Sequence, residues 1–122
     1  MATLRSYRDL QVWKASMDFV VEVYKITEKF PNTEMYGLTS QLRRCSVSIP
    51  SNIAEGSSRK NTKEFIQFLY ISNGSLSEAE TQLQIAQRLG YLKSFDSVNS
   101  KIIYIRIMLY NLIRKLKENL KT

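Results

Sequence analysis

The sequence has no histidine, a single cysteine, four glycines and two prolines in 122 residues. Without histidine, imidazole general bases and the usual imidazole metal sites are excluded. With one cysteine, Cys45, neither an internal disulfide nor a cysteine-rich zinc site can form. So few glycines and prolines leave little room for loop-rich or low-complexity architecture. No uncharged apolar run approaches the ~20 residues that span a bilayer. The N-terminal stretch MATLRSYRDLQVWKAS has no apolar segment followed by a small-residue cleavage site, so no secretory signal is read. The expectation is a soluble cytoplasmic protein with no metal and no cofactor.

What is present is helical patterning in one domain-sized chain, residues 1–122. Helix 1 is expected over about 9–30, with Leu10, Trp13, Met17, Val20 and Tyr24 at three- and four-residue steps and a second stripe of Val12, Phe19, Val23, Ile26 and Phe30. Ser6, followed by Asp9, is read as its weak N-cap. Pro31, Asn32 and Thr33 interrupt the pattern, and helix 2 follows over about 34–56 through Leu38, Leu42, Cys45, Ile49 and Ile53. Pro50 inside it predicts a kink or local break, because its ring crowds the Ser46 carbonyl and cannot donate to it. Asn61 and Glu64 have capping-box spacing at the start of helix 3, about 61–89, where Gly74 among serines suggests close helix approach. Helix 4, about 95–118, follows a cap at Ser94. Four long helices with short connections specify an all-α, antiparallel up-down-up-down four-helix bundle. Helices 1 and 4 carry more apolar residues than such a bundle buries, which calls for a second chain, a homo-oligomer.

The net charge of +7 favours an anionic partner. The stretch from Lys93 to the C-terminus holds seven basic residues, Lys121 among them, and two acidic ones, Asp96 and Glu118. Its plainest reading is a solvated helix end whose cations suit the C-terminal dipole. The richest chemistry lies in QLRRCSVSIPSNIAEGSSRK, residues 41–60, where Ser48, Asn52, Glu55 and Arg59 share one side of helix 2, with Ser75 and Glu78 as complements on helix 3. One reading is a polar network that satisfies carbonyls freed by Pro50 and fixes helix register, with Glu55 paired to Arg59 or Arg43. Another is an anion or nucleic-acid site built from Arg43, Arg44, Arg59, Lys60 and Lys63, whose cations neutralise RNA or DNA phosphates whatever the base. In a third, Arg43 and Arg44 bridge to Glu22, Glu28 or Glu34 of another subunit in a protein-interaction scaffold. A catalytic site is disfavoured: no base stands beside Ser46, Ser48 or Ser51, no Glu-x-x-His pair exists, and Gly56 lies in no phosphate loop.

The tracts DLQVWKAS (9–16), VYKITEKFP (23–31), EMYGLTSQLRRCSVSIPSNIAEGSSR (34–59) and FIQFLYISNGSLSEAETQLQIAQRLGYL (65–92) resemble the four-helix bundle proteins encoded by intervening sequences within bacterial large-subunit (23S) ribosomal RNA genes. Cys45 and Asn73 stand where that pattern commonly has alanine, which favours a buried packing role for Cys45. The resemblance implies a ring-shaped homopentamer. It also implies kinship with the accessory variability protein of diversity-generating retroelements, a similar basic pentamer that binds nucleic acid.

Overall fold

The computed structural model describes residues 6–120; Lys121 lies outside them. Four helices follow one another: α1 (Gln11–Thr27), α2 (Leu38–Ser57), α3 (Thr62–Arg88) and α4 (Asp96–Leu120). Pair registers fix their directions. Gln82 and Ser75 of α3 meet Gln41 and Ser48 of α2 respectively, and Arg106 and Lys117 of α4 meet Glu80 and Tyr70 of α3. In both pairs one number rises as the other falls, which is antiparallel packing. Each helix packs on its two neighbours in the order α1, α2, α3, α4 and back to α1, with α2 against α3 the most extensive pair.

Local chemistry sets the helix ends. The Ser6 hydroxyl accepts from Arg8 N and so caps a 3-10 turn, Tyr7–Asp9, rather than α1 itself. The Thr27 hydroxyl donates to the Val23 carbonyl at 2.8 Å, and tight turns through Lys29 and Phe30 then end α1 short of Pro31. Asn32 and Thr33 do not cap α2. They lie in a second 3-10 turn, Asn32–Glu34, and the Glu34 carboxylate takes the Leu38 N–H at 3.1 Å because Gly37 at the N-cap has no side chain. Asn61 Oδ1 accepts from Glu64 N at 2.8 Å and caps α3. Gly90, at φ 84°, turns the chain in the left-handed region that favours glycine.

The core holds Val12, Phe19 and Val23 of α1, Leu42, Ile49 and Ile53 of α2, Leu69, Leu76 and Leu83 of α3, and Ile102, Ile105 and Leu109 of α4. Fully burying one such side chain is worth about 1.5–3 kcal/mol. On α1 the second apolar stripe, not the first, faces inward; Met17 and Tyr24 are exposed while Phe19 and Val23 are wholly buried. Ser16 and Thr27 can sit in that buried stripe because their hydroxyls return to the Val12 and Val23 carbonyls.

Of the kink or local break expected at Pro50, the break does not occur: α2 stays helical through it. Ser72 of α3 reaches the adjoining carbonyl, that of Ile49, at 2.9 Å. Gly74 is exposed with nothing within 4 Å of where a Cβ would stand, so it serves no close approach. Gly56 does: a Cβ there would lie 2.6 Å from the Phe68 Cβ.

Candidate functional site

The five cations singled out on α2 and the turn after it do not form one site. Arg43 is half-buried and locked onto α1, with its Nε donating to Thr27 Oγ1 at 2.8 Å and its guanidinium 4.5 Å from the Tyr24 ring centre. Arg44, the next residue, points outward and is exposed, with no ion-pair partner among the described residues. Arg59 bonds Glu55 at 2.7 Å and lies over Phe68, which satisfies the Arg59 option for Glu55 and not the Arg43 one. Lys60 and Lys63 are exposed around the α2–α3 turn. Fourteen residues of helix, roughly 21 Å at 1.5 Å per residue, separate Arg43 from Ser57 at the end of α2, and Arg59 lies beyond it. Two of the carboxylates considered as intersubunit partners are engaged within the chain: Glu22 pairs with Lys101 at 3.5 Å, and Glu34 caps α2 and accepts the Tyr91 hydroxyl at 3.0 Å. That acceptor, first, and partial burial, second, raise the Tyr91 pKa above its usual 10.0.

The polar stripe divides in two. Ser48 and Ser75 hydroxyls meet at 2.9 Å across α2 and α3, and Asn52 Nδ2 donates to both the carbonyl and the hydroxyl of Ser48, at 2.8 and 2.9 Å. Glu55 is turned away to Arg59 and joins neither half. Nearer the other end of the seam, Gln82 Nε2 donates to Gln41 Oε1 at 3.5 Å and to Glu78 Oε2 at 3.3 Å, while its Oε1 accepts the Cys45 thiol at 3.6 Å. Gln41 and Gln82 were not among the expected site residues, although Gln82 stands three residues after Ala79, at the edge of the apolar stripe of Leu76, Ala79, Leu83 and Ala86, where a polar pair-former can sit. Among the described residues no buried side-chain nitrogen or oxygen lacks a hydrogen-bond partner. The buried part of the seam is thus satisfied from within, as a register-fixing network requires, while Gln41 and Glu78 at its edge are exposed beside a shallow cleft of about 290 Å³ that Arg44, Cys45, Ser48 and Ser75 also line.

Burial, first, and the neighbouring Glu78 charge, second, push the Cys45 thiol up to about 12, so it is no nucleophile at neutral pH. Among the described residues no group of three or more His, Cys, Asp or Glu could hold a metal ion. No helix of the described residues is long and apolar enough to cross a membrane.

A basic and aromatic groove lies elsewhere, between α3 and α4, and the sequence reading did not identify it. It encloses about 560 Å³ over a floor of Leu109 and Ile113, with Tyr70, Asn73, Arg106, Tyr110, Arg114, Lys117 and Glu118 around it. Lys117 Nζ stands 5.2 Å from the Tyr70 ring centre, and Arg106 is held by Glu80 at 2.9 Å and Ser77 at 3.2 Å. The steps of four and three from Tyr110 to Arg114 to Lys117 were the available signal, since they put all three on one side of α4. A second groove of similar size, on the α1–α2 side, joins Tyr24, Met35, Tyr36, Arg43, Arg44 and Val47. Tyr36 there is 97% exposed.

Comparison with known proteins follows the fold rather than any of these sites. No functionally curated protein matches the chain. A solved structure from Bacteroides thetaiotaomicron VPI-5482, described as a protein with unknown function from the S23 ribosomal protein family, is similar at TM-score 0.78 and 24% identity, covering 84% of this chain and 95% of that one. At that identity the likeness speaks for the bundle alone. Residues 8–111 match the family described as 23S rRNA-intervening sequence protein, a span that includes all of α1, α2 and α3 and most of α4. The chain belongs to the 23S rRNA-intervening sequence protein family.

Proposed function

We propose that this non-catalytic bundle assembles with copies of itself in the cytoplasm and binds nucleic acid through the phosphate backbone, as an accessory to enzymes that act on RNA or DNA. The observation that carries this reading is unneutralised positive charge. Of the lysines and arginines among the described residues, only Arg59, Lys101 and Arg106 form ion pairs, while Arg44, Lys60 and Lys63 are exposed without one. Such a surface attracts polyanions whatever their sequence.

Assembly as a homopentameric ring fits the distribution of exposed apolar surface. A closed ring with an odd number of subunits joins two different patches of neighbouring copies. The chain offers two: Met17, Val21 and Tyr24 of α1 beside Val47 of α2, and Ile103, Tyr104 and Ile107 on the outer face of α4. A ring would repeat weak phosphate contacts and raise overall avidity. Kinship with the accessory variability protein of diversity-generating retroelements belongs to the same reading.

The test is fluorescence anisotropy of the intact protein with generic RNA and DNA across a salt series, beside light scattering for the assembled mass. Binding that weakens steeply with salt, and weakens further in an Arg44→Ala, Lys60→Ala, Lys63→Ala variant of unchanged mass, supports the reading. An intact assembly that binds neither polymer at low salt leaves a protein scaffold held by its apolar faces.

A further inference from the structure

We propose that the groove between α3 and α4 seats a single-stranded nucleic acid, with Tyr70 and Tyr110 stacking on bases and Arg114 and Lys117 holding phosphates. This rests on the nucleic-acid reading above and moves its centre from α2 to the last turns of α4.

The antiparallel arrangement brings together what the sequence keeps far apart. The C-terminal turns of α4 lie at the same end of the bundle as the α2–α3 turn and the first turns of α3, as the contact of Lys117 with Tyr70 records. Arg114, Lys115 and Lys117 of α4 therefore share that end with Arg59, Lys60 and Lys63. On the α2, α3 and α4 side of that end the carboxylates are Glu55, which is bound to Arg59, Glu64, which is within 3.4 Å of the Asn61 amide, and Glu118 on the groove rim. Cations outnumber carboxylates there, so the site complements a polyanion.

The outer face of α4 also changes character along its length. Ile103, Tyr104 and Ile107 make its first half apolar, whereas beyond Tyr110 the exposed residues include Arg114, Lys115 and Lys117. Tyr110 is 67% and Tyr70 44% exposed, two rings beside one groove with a lysine already over one of them. Arg106, tied to Glu80 and Ser77, forms a fixed wall, and Arg114 has no ion-pair partner among the described residues. Exposed tyrosines interleaved with cations, of which Arg114 is unpaired and Lys117 rests on a ring, form the combination that holds unpaired bases and their backbone together. A duplex hides its base faces and would use the cations alone. The volume of about 560 Å³ lies within the ~300–1,000 Å³ usual for ligand sites.

The experiment measures anisotropy of fluorescein-labelled oligo(dT), oligo(U) and a mixed-sequence DNA duplex with the intact protein. The single strands are expected to bind more tightly than the duplex. Tyr70→Leu and Tyr110→Leu should each weaken single-strand binding on the order of tenfold with little change in salt dependence, and phenylalanine at both positions should keep affinity within about twofold of wild type. Arg114→Ala with Lys117→Ala should flatten the slope of log affinity against log salt by about 1.4, two single-strand contacts at ~0.7 each. Circular dichroism and assembled mass confirm that each variant is folded. If the groove variants bind like wild type while the Arg44, Lys60 and Lys63 variant loses affinity, the groove is overturned and the general reading stands. A preference for duplex likewise overturns the groove. Wild-type protein that binds none of the three probes overturns both.

Discussion

The seam between α2 and α3 and the flank that α4 presents to the rest of the bundle are built on opposite plans. The seam is close and uses small or polar residues: Gly56 under Phe68, the Ser48 and Ser75 hydroxyls in contact, Ser72 on the Ile49 carbonyl, and Cys45 against Gln82. Its hydrogen bonds are directional and leave no buried side-chain nitrogen or oxygen unpaired, so it fixes the register of two helices. The α4 flank uses long side chains instead, with Lys101 on Glu22 of α1, and Arg106 on Glu80 and Lys117 over Tyr70 beside an open groove, all partly exposed. Residue chemistry alone suggested a site at the seam. The comparison shows that polar residues turned inward and mutually satisfied have little capacity left for a ligand, whereas a cation unpaired among the described residues, Arg114, beside an exposed ring, Tyr110, retains it.

The sharpest way to break this contrast is to ask whether the seam is really dry. Iodoacetamide at pH 8 should alkylate Cys45 in the native protein on the order of a hundredfold more slowly than in the urea-unfolded chain, because the folded thiol holds its proton up to about 12 against 9.0 for an unperturbed one. The same shift ties stability to pH. Between pH 9 and about 12 the unfolded chain loses this proton and the folded chain keeps it, so stability should fall as pH rises through that window, with Tyr91 adding to the loss from about pH 10 upward. A Cys45→Ala variant should show a shallower decline. Rapid native alkylation at pH 8 would mean that the seam opens readily.

Next in size is Gly56→Ala. The added Cβ would lie 2.6 Å from the Phe68 Cβ and 3.0 Å from Phe65 Cδ1, so the seam must widen despite alanine's better helix propensity. A loss of about 2 kcal/mol in urea unfolding at fixed protein concentration is expected. An unchanged midpoint would show that the Phe65 and Phe68 rings yield without cost. Gly74→Ala, about two turns further along the same helical pair but in open space, should go the other way and stabilise by about 1 kcal/mol. Measured together, the two glycines separate close approach from backbone entropy.

The smallest effect is expected on the flank. Lys101→Met removes a pair whose lysine side chain is 42% exposed, and should cost less than about 0.5 kcal/mol, screened further by salt. A loss of several times that would make the α1–α4 contact a specific lock, and the contrast with the seam would disappear.

Read alone, the sequence specifies the four helices, the Asn61 cap, the burial of Cys45 and the lack of histidine that most catalytic or metal sites need, because these follow from local spacing, capping chemistry and composition. It also showed that Arg43 and Arg44 adjoin and that Ser48, Asn52 and Glu55 share a side of one helix. Only the tertiary structure decided which of two apolar stripes on α1 faces the core, that Gly56 rather than Gly74 is the close contact, that Arg43 is locked against Thr27 and Tyr24 while Arg44 is free, and that Lys117 lies over Tyr70. Periodicity gives the direction in which a side chain leaves its own helix. What that side chain meets depends on the partner helix's register, which is set by contacts between residues as distant as Gln41 and Gln82 and cannot be read from either helix alone.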